Sequence, residues 1–218
     1  MTIGCTGLRN AENRRQTRPR AFALSAFCLL FFAFRNPKSA VDYLIRKAKL
    51  DDRAAIGQLI AESARSLSRE DYSDRQIEAA ISTVFGVDTN LILDGTYYVA
   101  DGSGILLGCG GWSKRKTLFG GDQYAVRDSS ELDPKLEPAR IRAFFVHPAH
   151  ARRGIGRAIL ATCENEAKAH GFRSLELMAT LPGLKLYQAC GYEAGERVVY
   201  EMKDGVQIAF IPMRKAVA

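Results

Sequence analysis

The chain has 218 residues, of which 47% are hydrophobic and 25% are charged, values that favour neither a disordered chain nor a disulfide scaffold. The net charge is +7 at pH 7, but the first forty residues hold seven of the 31 Lys and Arg and only one of the 24 Asp and Glu. The remainder is therefore nearly neutral, which excludes the broad basic surface of a nucleic-acid-binding domain.

Residues 21–34 form an uninterrupted apolar run that follows several arginines, the charge order of a signal peptide. The run is shorter than the ~20 residues of a membrane-spanning helix, and no small-x-small cleavage site follows it. Three interpretations stay open: a degenerate signal or anchor, a short amphiphilic addition, or an extension outside the native product. We expect an N-terminal extension at 1–40 and one domain at 41–218, because the globular pattern begins at Val41 and a valine codon can serve as a start.

The five cysteines are odd in number, widely spaced and without a CxxC pair. We therefore expect no metal site, and we expect reduced, mostly buried thiols in a cytoplasmic protein. Cys109 lies between two glycines in an apolar strand pattern, with no nearby His to act as a base. It is expected to be structural rather than a nucleophile.

The first part of the domain predicts a strand followed by two helices. Apolar and polar side chains alternate over 43–48, which is typical of a strand. Apolar side chains then recur every three or four residues in two stretches. The first of these begins near Asp51 and Asp52, and the second is capped by Ser73 or Asp74.

The middle of the domain predicts a hairpin and a long loop. Two strands at 97–100 and 105–111 are separated by the letters DGSG, which favour a tight turn. Residues 113–138 are polar and rich in Gly and Asp, and they are too many for an ordinary connection. We expect this loop to be functional.

The remaining elements are a strand at 140–146, a helix at 154–170, a strand at 174–178, a helix at 182–189, and strands near 198–202 and 207–213. Strands outnumber helices, and hairpins are mixed with crossovers. The pattern therefore predicts an α+β domain with a mixed sheet.

The turn after the strand at 140–146 predicts an anion site. Gly154 and Gly156 let the backbone approach a ligand, and the first amides of the following helix then face it. Arg152, Arg153 and Arg157 add cationic donors. The glycine pair alone is equally consistent with tight packing and solvated arginines, so that alternative stays open. A dinucleotide-binding motif is disfavoured, because its third glycine is missing.

Two blocks of sequence, FFVHPAHARRGIGRAIL and TLPGLKLYQACGY, resemble the GNAT superfamily of N-acetyltransferases in spacing and order. The resemblance runs from about Tyr43 to Arg214. It implies a mixed, mostly antiparallel central sheet flanked by helices, and acetyl-CoA as acyl donor without a metal. The CoA contacts that it implies are Phe144, Phe145 and Val146 in the strand and Arg152, Arg153, Gly154, Ile155, Gly156 and Arg157 in the turn. Ala151 departs from the family pattern, which usually has Gln or Arg there.

The same resemblance implies that Tyr187 protonates the departing thiolate, while an amine attacks the acetyl carbonyl directly in a ternary complex. The base is not identified by the sequence, and the candidates are the loop carboxylates Asp122, Glu131, Asp133 and Glu137. We expect the early helices, Trp112 and the loop to form the acceptor pocket. Trp112 and Tyr124 either line a pocket or serve packing, which is the more frequent role of isolated aromatic residues.

The sequence thus predicts an N-acetyltransferase that acts on a primary amine of a small molecule. A protein or peptide N-acetyltransferase and a non-catalytic acyl-CoA-binding module are the alternatives. Acetyl-CoA and the amine are the expected partners, without nucleic acid, and without a membrane unless residues 21–34 are an anchor. A homodimer is left open.

Overall fold

The computed structural model describes residues 42–124 and 126–217, except the side chain of Asp204. The extension expected at 1–40, with its apolar run at 21–34, lies outside the described residues. The elements are β1 Leu44–Lys47, α1 Arg53–Leu67, α2 Asp74–Thr83, α3 Thr89–Leu93, β2 Tyr97–Gly102, β3 Ile105–Ser113, β4 Ala139–Val146, α4 Ile155–Ala169, β5 Ser174–Thr180, α5 Leu184–Ala189, β6 Glu193–Ala194, β7 Val198–Glu201 and β8 Gln207–Ala216.

The strands form one sheet in the order β1-β2-β3-β4-β5-β8-β6, and β7 also pairs with β8. The β4–β5 pair is parallel, and the other pairs are antiparallel. This mixed, mostly antiparallel sheet confirms the predicted α+β fold. In the part of the chain that the structure describes, no helix is long and apolar enough to cross a membrane.

Helices cover both faces of the sheet, and each face has its own hydrophobic core. On one face, Ile56 and Ile60 of α1 and Ile77 of α2 pack against Tyr97. On the other face, α4 packs against β3 and β4, with Ile159 fully buried. Because side chains alternate along a strand, neighbouring residues of β2 supply the two cores in turn.

The hairpin between β2 and β3 is confirmed. Ser103 and Gly104 both have positive φ, of 60° and 93°, as a type I′ turn in a two-residue hairpin loop requires. The predicted cap of α2 is also present, since the Ser73 side chain accepts a hydrogen bond from the Gln76 amide. Two short elements were not predicted from the sequence, α3 and β6, which have five and two residues.

A β-bulge interrupts β4 at Ala143, where φ is 55° and the register against β3 shifts. The Tyr97 hydroxyl donates to the Ala143 carbonyl oxygen at 3.2 Å, and the Cys109 sulfur lies 3.8 Å from the same oxygen. Burial raises the pKa of Cys109 to about 12. This confirms the structural role expected for Cys109, whose thiol supports the bulge and is not poised as a thiolate.

β4 and β5 stop pairing before β4 reaches the bulge. Their parallel pairing is confined to Ala139 with Leu175 and Arg140 with Glu176, although β4 continues to Val146 and β5 to Thr180. The sheet is therefore open between the last residues of these two strands. This opening positions the candidate site.

Candidate active site

A cavity of about 520 Å³, which we call the large pocket, lies in the opening between β4 and β5. It is lined by parts of α1, β4, α4 and α5 and by the turn between β4 and α4. Nine of the ten residues predicted for the site line it: Phe144, Phe145, Val146, Arg152, Gly154, Ile155, Gly156, Arg157 and Tyr187. Arg153 lies in the same turn but does not line the pocket.

The turn between β4 and α4 combines two backbone features that favour an anion. Arg152 and Gly154 have φ of 65° and 85°, and α4 begins at the next residue, Ile155. The free amides of the first helical turn therefore face the end of the pocket. The guanidinium groups of Arg152, Arg153 and Arg157 are exposed and form no ion pair with any described residue.

Glycine is required at the two positions of the turn for different physical reasons. Gly154 needs glycine for its conformation, since its φ of 85° is left-handed. Gly156 needs it for packing, because an added Cβ would lie 3.2 Å from Cδ2 of Leu186 and 3.6 Å from Cγ2 of Val146. The tight-packing alternative therefore applies to Gly156, while the left-handed conformation of Gly154 shapes the turn.

Ser63 is a pocket residue that the sequence analysis missed. It is 4% exposed, and its hydroxyl lies 3.4 Å from the Val146 amide, which donates to it. This bond is long, so the amide of Val146 is only weakly engaged and remains available for a ligand oxygen. No local pattern singles out Ser63, because a serine on α1 meets β4 only through the tertiary fold.

Tyr187 on α5 is buried beneath the opening, with its ring edge-on to Phe144 and to Tyr192 at centroid distances of 6.3 and 5.8 Å. Burial raises the pKa of its phenol above 10. No described residue forms a hydrogen bond with the Tyr187 hydroxyl. A protonated donor without a partner therefore lies in the pocket wall.

A second cavity of about 70 Å³, the small pocket, lies beside the large one. The two pockets share Phe85, Phe144, Phe145, Thr180 and Tyr187 in their walls. Apart from these residues, the small pocket is lined mainly by apolar residues of the segment after α2, the long loop, β4, β5 and β8. The junction of the two pockets therefore lies at the bulge of β4 and at Tyr187.

Arg142 is the charged side chain in the wall of the small pocket, and it belongs to a buried ion-pair network. Asp88, which is fully buried, lies 2.7 Å from Nη1 of Arg142 and 2.6 Å from Nη2 of Arg127. Nη2 of Arg142 also donates to the Gly120 carbonyl. The network joins β4 to the long loop and to the start of α3.

The carboxylates expected as bases are engaged elsewhere. Asp122 accepts hydrogen bonds from the amide and hydroxyl of Thr89 and lies 3.1 Å from Nη2 of Arg53. Glu131 pairs with Lys114, Asp133 accepts from the amide of Lys135, and Glu137 accepts from the amide of Asp133. Of the described Asp and Glu residues, none lines either pocket.

Trp112 was expected to help form the acceptor pocket, but neither Trp112 nor Tyr124 lines either of the two pockets. Trp112 is fully buried in the core on the α4 face, with its ring 5.9 Å from Phe172. Tyr124 packs against Phe119 at 5.0 Å and does not line the small pocket. Val84, which directly follows α2, and Phe119 of the long loop do line the small pocket.

Metal chemistry was not expected from the sequence. Within residues 42–124 and 126–217, no group of three or more His, Cys, Asp and Glu side chains could hold a metal ion. The three cysteines described there, Cys109, Cys163 and Cys190, are free thiols.

The sequence model of the acetyltransferase (GNAT) family matches residues 56–192. No curated protein matches the sequence. Among solved structures, the chain is similar to a GCN5-related N-acetyltransferase from Rhodopseudomonas palustris, at 21% identity and a TM-score of 0.61 over 80% of this chain and 96% of that one.

Two other similar structures differ in the acceptors that their names state. A ribosomal-protein-alanine N-acetyltransferase from Brucella melitensis is 18% identical, with a TM-score of 0.53 over 80% of this chain and 99% of that one. A phosphinothricin acetyltransferase from Sinorhizobium meliloti, in complex with acetyl-CoA, is 19% identical, with a TM-score of 0.53 over 81% of this chain and 89% of that one. At these identities the likeness concerns the fold.

Proposed function

Because the chain belongs to the acetyltransferase (GNAT) family, we propose that it transfers an acetyl group from acetyl-CoA to a primary amine of a small molecule. The observation that carries this proposal is the junction of the two pockets at Phe144, Thr180 and Tyr187. A thioester in the large pocket and an amine in the small pocket meet at this junction. Holding both reactants there removes much of the entropic cost of a bimolecular reaction.

In this proposal the turn between β4 and α4 holds the pyrophosphate of CoA. The exposed guanidinium groups of Arg152 and Arg157 and the first amides of α4 supply its donors. Main-chain groups of Phe144 and Val146 hold the pantetheine arm and the thioester carbonyl. The weakly engaged Val146 amide supports this assignment.

The chemistry is a direct displacement. The neutral amine attacks the thioester carbon, a C–N bond forms, and the C–S bond breaks. A strand amide near Phe144 stabilises the oxyanion, and the phenol of Tyr187 gives its proton to the departing sulfur and regains one from solvent. The proton lost by the amine passes to water, since no described carboxylate lines either pocket. The products are the N-acetylated amine and CoA.

The volume of the small pocket favours a small acceptor over a peptide. At about 70 Å³ it accommodates a compact molecule, whereas an extended peptide needs an open groove. Peptide acetylation is nevertheless the activity named for the Brucella structure, so it is the alternative that the experiment includes.

Release of the CoA thiol from acetyl-CoA, measured across a panel of small amines and short peptides, tests the proposal. We expect thiol release that depends on at least one small amine, with the N-acetylated product identified by its mass. Turnover of peptides but of no small amine would show that the acceptor is a peptide and not a small molecule. Acetyl-CoA binding without turnover of any amine would instead indicate a non-catalytic acyl-CoA-binding module.

A further inference from the structure

β7 is an edge strand of the sheet, and one of its two sides is unpaired. Its residues pair with β8 from Val198 opposite Phe210 to Glu201 opposite Gln207. Its other side pairs with no strand in the part of the chain that the structure describes. An unpaired strand edge presents free backbone donors and acceptors, and many proteins protect such an edge with a lysine, a proline or a bulge. β7 has none of these three features, so its free side is open to another strand.

The hydrogen bonds of β8 show which backbone groups of β7 face its free side. Gln207 and Ala209 accept hydrogen bonds at their carbonyl oxygens from side chains of α2 and of the segment before it, so both residues face away from β7. Because residues alternate along an antiparallel strand, Ile208 faces β7 and its partner Tyr200. Val199, the neighbour of Tyr200, therefore directs its amide and its carbonyl to the free side.

The exposed side chains along this edge are apolar in the middle and charged at the two ends. Val198 and Val199 are 39% and 59% exposed. Arg197 directly precedes β7 and Glu201 ends it, and both side chains are exposed. Neither of them forms a salt bridge with a residue that the structure describes. The order of charges is self-complementary, because a copy of the segment that runs in the opposite direction places its Glu beside this Arg and its Arg beside this Glu.

We propose that the free side of β7 is a dimer interface, at which a second copy of this chain pairs antiparallel to the first and extends the sheet. The two-fold axis passes beside Val199, so its amide donates to the carbonyl of Val199 in the second copy, and the reverse bond is equivalent. Arg197 then lies opposite Glu201 of the second copy, and the same ion pair forms at the other end. This interface is separate from the proposed acetyl-transfer site and does not depend on that function.

The charges favour a second copy over an unrelated strand as the occupant of this edge. Any strand could satisfy the outward backbone groups of Val199, but an ion pair at each end requires a partner whose acidic and basic residues have the same spacing in the opposite order. The chain itself meets this requirement with Arg197 and Glu201. A single short strand pair is smaller than a standard interface of ~800 Å² per partner, so we expect a reversible dimer with a Kd of about 1 μM or weaker.

Sedimentation of the full chain over a concentration series tests the inference by reversing the charges. Arg197→Glu places like charges opposite each other at both ends of the interface, and Glu201→Arg does the same. Each substitution should weaken dimerisation at least ~10-fold, because like charges directly opposite each other are destabilising. The double variant restores opposite charges at both ends and should dimerise as the wild type does. Association through any other surface does not predict this rescue.

A mixture of the two single variants tests the antiparallel arrangement. One Arg197→Glu chain and one Glu201→Arg chain together place opposite charges at both ends, so the equimolar mixture should form dimers at a concentration at which each variant alone is monomeric. Arg173→Glu is the matched control for net charge. Arg173 is exposed and precedes β5 at the end of the sheet where β5 pairs with the last residues of β8, whereas β7 pairs with the first residues of β8. This variant should dimerise as the wild type does.

Hydrogen exchange in the wild-type chain tests the same interface without any substitution, and therefore applies even if a variant fails to fold. The outward amide of Val199 should exchange more slowly as the protein concentration rises through the Kd. The amide of Tyr200, which faces β8, should not change. A wild-type chain that stays monomeric up to about 0.5 mM would overturn the inference. So would a dimer that neither single substitution weakens, or a double variant that remains dissociated.

Discussion

Tyr187 is the residue whose chemistry can be tested most cleanly. Its hydroxyl has no hydrogen-bond partner among the described residues, and its ring is held between Phe144 and Tyr192. Tyr187→Phe keeps the packing of the ring and removes the proton donor. We expect kcat to fall by ~10²–10⁴-fold, the usual contribution of a general acid, while the Kd for acetyl-CoA changes little.

Tyr192→Phe is the matched control for this substitution. Tyr192 is equally buried and contacts Tyr187, but it lines neither pocket. Removal of the Tyr192 hydroxyl should leave kcat unchanged. If Tyr187→Phe also retains full kcat when chemistry limits the rate, then Tyr187 is a packing residue and the thiolate is protonated by solvent.

The pH dependence of the reaction follows from the burial of the same residue. Burial raises the pKa of Tyr187 above 10, so the phenol keeps its proton as the pH rises to that value. We therefore expect no loss of kcat from ionisation of Tyr187 up to pH 10. By contrast, kcat/KM should rise with pH until the acceptor amine is neutral, because no described carboxylate lines the pockets. A pH–rate profile that falls between pH 8 and pH 10 would argue against Tyr187 as the donor.

At the scale of the elements, the turn between β4 and α4 depends on Gly154. An alanine there would have to adopt the left-handed conformation, with φ of 85°, at a cost of about 1–2 kcal/mol. We expect Gly154→Ala to lower the unfolding free energy by this amount and to weaken acetyl-CoA binding at least tenfold, because the amides of the turn would shift. Chemical denaturation and calorimetric titration measure the two effects.

Gly104→Ala provides the control with the same backbone strain. Gly104 has φ of 93° in the β2–β3 turn, and an added Cβ would meet nothing within 4 Å. This variant should lose comparable stability and keep its affinity for acetyl-CoA. Equal affinities in the two variants would show that the conformation of the turn at Gly154 does not matter for binding.

On the scale of the whole molecule, Asp88 links elements that are far apart in the chain. It caps α3 and pairs with Arg127 of the long loop and Arg142 of β4. Asp88→Asn leaves the buried guanidinium of Arg142 and the partly buried one of Arg127 without the carboxylate they share, so we expect a loss of ~3–5 kcal/mol in unfolding free energy. Glu78→Gln, which breaks an exposed pair with Arg65, should change it much less. Similar losses of unfolding free energy in the two variants would mean that the buried network stabilises the protein no more than a surface ion pair does.

Local signals in the sequence were sufficient to predict the long helices and strands. The helical spacing around Ile56 and Ile77, the turn at Ser103 and Gly104 and the glycines after β4 each act over a few neighbouring residues, and the structure has them as predicted. α3 was missed because five residues are too few to show a helical period.

The features that join distant parts of the chain could not be predicted. The meeting of Asp88 with Arg142 depends on how the long loop folds over β4, and no local pattern encodes that contact. The burial of Trp112 in the core on the α4 face also depends on the tertiary fold. Side chains alternate along β3, so Cys109 lies in one core and Trp112 in the other, but the alternation does not tell which helices cover each face.

A crystal structure of the protein with CoA tests the central claim most directly, because it shows where the donor lies. We predict that the pyrophosphate contacts the amides of 154–157, that the pantetheine arm runs along Val146, and that the CoA sulfur lies within hydrogen-bonding distance of the Tyr187 hydroxyl. CoA bound outside the opening between β4 and β5, or a sulfur remote from both Tyr187 and the small pocket, would contradict the account.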